Sequence, residues 1–287
     1  MKIRKAVFPA AGFGTRFLPA TKASPKEMLP IVDIPLIDLA VREAKASGIN
    51  EIIIVTGRGK GAIEDYFDKS YELERELCEK GKTDLCTIVR QIYNDIQVVY
   101  VRQKEMKGLG DAVLTARSIV GDEPFAVLLA DDVIFSKKPC IKQMIDVFEK
   151  KKGSVLAVKK VSKEEISSYG VINPKNIEDK IIEAKETVEK PKADKAPSDL
   201  AIIGRYIFTP RIFDFLEKTV PDNNGEIQLT SAISELCKEE KVFGYLFEGE
   251  RFDAGNKLGF LKATVKAALS REDLKVEFKK YLKECLK

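Results

Sequence analysis

The sequence predicts an α/β protein built on a doubly wound sheet. Two observations carry that prediction: β-branched apolar runs alternate with amphipathic segments through about residue 135, and Pro or Gly stands at the segment edges. Length adds a third. At 287 residues the chain can form one large α/β domain or two ordinary ones, burying roughly 75% of its extended surface.

The first strand is predicted in IRKAVFPA from Ile3, and a helix over residues 35–48 (PLIDLAVREAKASG). EIIIVT from Glu51 follows, too uniformly apolar for a strand with a wet face, so it belongs inside a parallel sheet. Residues 61–81 form the next amphipathic segment, QVVYVR from Gln97 the next strand, residues 108–121 the next helix, and FAVLLA from Phe125 the strand after that. Beyond Gly153 the pattern turns strand-rich, with SVLAVKKV from Ser154, LAIIGRYIF from Leu200 and VFGYLF from Val242. The polar stretch at 185–199 (KETVEKPKADKAPSD) reads as a surface loop, and the charged segment from Ser270 as an amphipathic helix that either packs on a partner subunit or folds back on its own domain.

Composition narrows the function classes. Lys and Arg exceed Asp and Glu by 49 to 45, a net charge of +4, too small for bulk charge to imply a nucleic-acid partner. Five cysteines, at 78, 86, 140, 237 and 285, are odd in number and lack CxxC spacing, so neither a disulfide framework nor a zinc site is expected. No stretch of about 18 apolar residues and no signal-peptide pattern occurs, and the expectation is a soluble cytoplasmic protein with no membrane partner.

The informative motif follows the first strand. VFPAAGFGTRFLPATKASPKEMLP, from Val7, places four Gly or Ala positions in a span of five and then Thr15, Arg16 and Lys26. A dinucleotide fingerprint fails because its third glycine falls on Phe17, and no Walker A pattern is present. What remains suits a polyphosphate: backbone N–H groups cradle it, an arginine contacts it bidentately and a lysine adds a point charge. A structural loop with surface charges is the alternative on these residues alone.

PAAGFGTRFLPATKASPKEMLPIVDIPLI resembles the signature of the bacterial UTP–glucose-1-phosphate uridylyltransferases, within the sugar-phosphate nucleotidyltransferases. VRQKEMKGLGDAV from Val101, LLADDV from Leu128, YGVI from Tyr169, VEKPKADKAPSDLAIIGRYIF from Val188, GEIQLTSAI from Gly225 and FDAGNKLG from Phe252 resemble the same family in the same order. The resemblance spans residues 3 to about 265. It implies a Rossmann-like, doubly wound mixed sheet flanked by helices, with a strand-rich sugar-binding insertion and a C-terminal helical segment. It also implies one nucleotidyltransferase domain over 1–287: a nucleotide-binding half (1–135), a sugar-phosphate-binding half (136–255) and C-terminal helices (256–287) serving as a possible oligomer contact.

The implied reaction transfers UMP from UTP to glucose 1-phosphate and expels pyrophosphate, with Mg²⁺ as cofactor and a homodimer or homotetramer as the assembly. Its nucleophile is a phosphate oxygen whose second pKa is near 6, so a chain without histidine needs no general base. By resemblance, Ala10, Ala11, Gly12, Gly14 and Thr15 hold the nucleotide. Arg16 contacts the β- and γ-phosphates, and Lys26 also faces the phosphates. Gln103 reads uracil beside Gly108. Asp131 and Asp253 bind the metal, an assignment chemically suited to a hard cation that also takes phosphate and water oxygens. Either aspartate alone reads equally as a turn or cap residue, and Asp132 as a group that orients the site or faces solvent. Glu189 and Lys190 hold the sugar hydroxyls and phosphate, and Gly170 and Gly204 bring backbone close to the sugar. Arg16, Lys26, Asp131 and Lys190 are the expected catalytic set.

Two departures stand out. Asp111 occupies a position where the family commonly has His, and is expected to turn away from the triphosphate or to sit at a helix N-terminus, where negative charge is favoured. Ala254 replaces a frequent cysteine, a change of little consequence for an oxygen-liganded cation. The alternatives are a transferase using dTTP or another sugar 1-phosphate, and a non-catalytic nucleotide-sensing homologue.

Overall fold

Consecutive Ile, Val and Phe residues cannot all face one side of a strand, and the runs that carry them lie in a nine-stranded mixed sheet covered on both faces. The structure, a computed structural model, describes residues 2–286; the first and last residues of the expected 1–287 domain lie outside the described residues. In chain order the strands are β1 (Lys5–Pro9), the two-residue β2 (Pro30–Ile31) and β3 (Ile34–Pro35), β4 (Glu51–Thr56), β5 (Gln97–Arg102), β6 (Phe125–Leu128), β7 (Asp132–Phe135), β8 (Ser154–Lys160), β9 (Gly170–Glu178), β10 (Ile181–Glu189), β11 (Leu200–Phe208), β12 (Val242–Leu246) and β13 (Glu250–Asp253). The main sheet runs β5-β4-β1-β6-β11-β8-β12-β10-β9, while β7 and β13 form a separate ribbon. Strands β5, β4, β1 and β6 are mutually parallel; β11 runs antiparallel to both β6 and β8, which makes the sheet mixed.

The helices are α1 (Leu36–Ala46), α2 (Gly61–Phe67), α3 (Tyr71–Glu79), α4 (Thr83–Tyr93), α5 (Gly108–Thr115), α6 (Arg117–Val120), α7 (Cys140–Lys151), α8 (Ile212–Lys218), α9 (Leu229–Glu239), α10 (Lys257–Ser270) and α11 (Lys275–Cys285). Helix α1 shows how sequence sets these elements. Leu36, Ile37, Ala40, Val41 and Ala44 recur at helical spacing and are buried, and the helix stops just before Gly48, whose φ of 87° suits only glycine. Alternate residues of β4 point opposite ways. Ile52 and Ile54 pack with α1 and α7, whereas Ile53 and Val55 pack with α5, α8 and α9.

Four expectations need correction. The segment 61–81 is two helices, because Asp68, Lys69 and Ser70 interrupt it, and 108–121 likewise divides at Ala116. The loop at 185–199 begins only after Glu189, since residues 185–189 belong to β10 and pair with β9 despite their charge. Cysteine spacing gave no hint of a disulfide, yet Cys78 and Cys86 are bonded across the α3–α4 turn, eight residues apart. Helix α11 packs against α10 of the same chain. No helix among the described residues is long and apolar enough to cross a membrane.

Candidate active site

Strand β1 ends between β4 and β6, so the loop that leaves it emerges at the carboxyl edge of the parallel strands. A cleft of about 550 Å³ opens there, lined by Ala11, Gly12, Gly14, Thr15, Lys26, Gln103, Gly108 and Asp131, among others. Gly14 has a φ of 66°, and a Cβ there would lie 2.8 Å from Lys26 Cβ, so glycine lets the loop rest on the lysine stem. Ala10 is the exception in this group: its N–H donates to Val55 O at 2.8 Å, extending the sheet, and is not available to a ligand. Thr15 and Arg16 begin a 3-10 turn and are exposed.

Two residues that the motif reading passed over hold this loop. Lys60, only 5% exposed, donates to Gly12 O at 2.6 Å and to Glu27 Oε2 at 2.7 Å. Burial pushes the Glu27 carboxyl up, against the pull of Lys60 and Lys26. Glu27 Oε1 is the one buried side-chain oxygen among the described residues that has no hydrogen-bond partner, and Glu27 lines the cleft.

The β7–β13 ribbon brings the distant acids together. Its register sets Asp253 opposite Asp132, and Ala254 N–H donates to Asp131 O at 2.8 Å. A Cβ on Gly255 would stand 3.0 Å from both Asp131 Oδ2 and Asp253 Oδ1, so these oxygens lie within twice that distance of each other. Lys26 Nζ donates to Asp131 Oδ2 at 2.6 Å. Burial opposes ionisation of Asp131, but attraction to Lys26 and this hydrogen bond prevail and hold the carboxyl below its ordinary value. Two carboxylates and no thiol or imidazole make a hard donor set that suits a divalent cation completing its shell with phosphate and water oxygens. The described residues contain no cluster of three or more His, Cys, Asp or Glu in ligating arrangement.

Asp132 neither faces solvent nor joins that pair. It is buried, takes an ion pair from Arg251 Nε, and accepts Gly204 N–H at 2.8 Å. Burial pushes its carboxyl up, and the negative charge of Asp131 adds to the effect. The lack of a side chain at Gly204 therefore makes room for Asp132 and Leu129, which a Cβ would strike at 2.4 and 2.7 Å. Arg205, fully buried, ties Glu43 to the carbonyls of Leu129 and Asp132.

At the other end of the cleft, Gln103 is 7% exposed and donates through Nε2 to Asp111 Oδ2 at 2.6 Å. Gly108 has φ 91°, and Gly110 N–H donates to Ile227 O at 2.8 Å, so the glycine turn docks on the GEIQL segment. Glu226 lines the cleft there, while Gln228 donates to Asp222 and Glu226. In the strand-rich half, Glu189 Oε2 accepts from Thr230 Oγ1, and Glu189 Oε1 lies 3.2 Å from Lys190 Nζ. A Cβ on Gly170 would approach Thr230 Oγ1 at 3.1 Å and Glu189 Oε2 at 3.3 Å. Burial raises the pKa of the Tyr206 hydroxyl, and the negative charges of Asp132, Glu189 and Asp131 add to that rise.

The family model described as nucleotidyl transferase matches residues 5–269. The chain belongs to the nucleotidyl transferase family. It is 53% identical to the UTP–glucose-1-phosphate uridylyltransferase of Bacillus subtilis (strain 168) over 274 residues, covering 96% of this chain and 94% of that protein. Its fold superposes on a UDP-glucose pyrophosphorylase complexed with UDP-glucose with a TM-score of 0.87, at 46% identity, covering 94% of this chain and 100% of the other. The UTP-bound UGPase of Acinetobacter baumannii gives a TM-score of 0.91 at 41% identity, covering 99% of each chain.

Within this nucleotidyl transferase, residues from five separate motifs meet along one cleft and its rim. Lys60 and Arg251 lie outside the quoted motifs, and Arg205 inside one was given no role, because a buried cation that braces a loop looks like any surface lysine or arginine in sequence. Thr230 stood inside GEIQLTSAI, and its hydroxyl is the sole cue that it meets a carboxylate.

Proposed function

We propose that this chain transfers UMP from UTP to glucose 1-phosphate, forming UDP-glucose and pyrophosphate by direct in-line displacement. The observation that carries the reading is the meeting of Asp131 and Asp253 beside Lys26, at the mouth of a cleft floored by backbone. Ala11, Gly12, Gly14 and Thr15 take the nucleotide, with Arg16 and Lys26 toward its phosphates. Lys60 keeps the Gly12 carbonyl turned inward, so that the loop's N–H groups point at the ligand.

Asp131 and Asp253 hold a divalent cation, Mg²⁺ in this reading, which supplies charge neutralisation at the phosphates. Glu189 takes sugar hydroxyls, aligned by Thr230 and with Gly170 leaving room. Lys190 holds the sugar phosphate in line. That phosphate is ionised at neutral pH, so alignment and neutralisation of charge suffice and no side chain has to remove a proton. Residues 1–135 then form the nucleotide half and 136–255 the sugar half of one domain, in a cytoplasmic homodimer or homotetramer.

Incubating the purified chain with UTP, glucose 1-phosphate and MgCl₂ and resolving nucleotides by ion-exchange chromatography tests the reading. UDP-glucose should accumulate in step with pyrophosphate; pyrophosphate without a nucleotide sugar would refute the transfer.

A further inference from the structure

Resting on that reading, we infer that Asp111 is a positioning residue for base selection: it fixes which end of the Gln103 amide faces the nucleobase. An amide presents a donor end and an acceptor end of nearly the same shape, and only its neighbours decide which points where. Here two acceptors surround one end. Asp111 Oδ2 lies 2.6 Å from Gln103 Nε2, and Gly108 O lies 3.4 Å from the same nitrogen. A carboxylate accepts only, so the NH₂ group has to occupy that end, and both of its hydrogens are engaged there.

Oε1 is thus the atom left for the base. Gln103 is buried at the end of β5 and lines the cleft with Gly108 and Leu109, the first two residues of α5, whose N–H groups have no carbonyl partner within the helix. One fixed acceptor beside backbone donors matches an edge that presents a ring N–H between carbonyl oxygens. Uracil has that edge at N3. Cytosine presents a bare ring nitrogen there, which would set two acceptors against each other in a buried site.

Asp111 is itself held. It lies in the first turn of α5, where negative charge is favoured, and its carbonyl accepts from Thr115 Oγ1 at 2.8 Å. The chain therefore reads the base with a two-residue device, Gln103 touching it and Asp111 setting the orientation.

The test compares UTP with CTP in wild type and in Asp111→Asn, an isostere whose amide can donate as well as accept and so allows Gln103 to turn over. The expected result is a fall of at least about tenfold in the UTP-over-CTP ratio of kcat/KM, with the loss on UTP in KM and with kcat largely kept. Asp111→Ala, which withdraws the acceptor without adding a donor, carries the same comparison should the first variant not fold. A ratio within about twofold of wild type in a folded variant would overturn the role of Asp111 and leave uridylyl transfer standing. No preference for UTP in the wild-type enzyme would overturn both.

Discussion

Lys26 Nζ and Asp131 Oδ2 lie 2.6 Å apart, joining the segment that follows β1 to the acidic end of the central strands. Each has a second task in the proposed reaction, the lysine toward phosphate and the aspartate toward the cation. The pair keeps both ionised and in place until substrate arrives. Lys26→Met should lower kcat/KM for UTP by about 10²–10³-fold, the size of losing one preorganised charge in a water-poor site. Steady-state kinetics at saturating glucose 1-phosphate provides the check.

The same pair fixes a pH window for stability. Asp131 is held below its ordinary value, so its contribution is lost as pH falls through that lowered value. Lys26 is raised: burial acts against its charge, but Asp131 and Glu27 outweigh burial, so its contribution is lost as pH rises through the raised value. Between about pH 5 and pH 9 the urea-midpoint difference between wild type and Lys26→Met should stay flat, and it should shrink below about pH 4. A difference that grows toward acid pH would contradict the assignment.

With no histidine in the chain, the acid limb of the rate profile should belong to the substrate, whose phosphate loses its second proton near pH 6. Replacing glucose 1-phosphate by its phosphonate, which ionises at higher pH, should move the limb upward. An unmoved limb would assign it to an enzyme group.

Arg251 is the counter-charge of buried Asp132 and also donates to the Tyr169 hydroxyl at 2.7 Å. Arg251→Met should cost about 3–5 kcal/mol in urea denaturation, because Asp132 stays behind unpaired. The double variant with Asp132→Asn should recover part of that loss.

Thr230 donates to Glu189 beside Gly170. Thr230→Val should raise KM for glucose 1-phosphate about tenfold, the scale of one hydrogen bond to a charged group, and leave KM for UTP unchanged. Equal effects on both substrates would place Thr230 outside the sugar site.

The sequence was legible where one physical rule decides the outcome. β4 could be placed because EIIIVT has no polar face, and a tight loop after β1 because Gly and Ala cluster there ahead of Arg16 and Lys26. The approach of Asp253 to Asp131 depends on the β7–β13 ribbon, whose two short strands carry no strong periodic signal. The Asp132 contact of Gly204 was not legible, because a close approach to a ligand and a close approach to Asp132 require the same missing Cβ. Nor do residues announce that the Ala10 N–H is already spent on Val55.

The most direct test of the central claim is the initial rate of pyrophosphate release with glucose 1-phosphate and MgCl₂, comparing UTP, dTTP, ATP, CTP and GTP at equal concentration. By the central claim, UTP should give the highest rate and CTP should be strongly disfavoured. Turnover led by a purine nucleotide or CTP, or no turnover with any of the five, would contradict it.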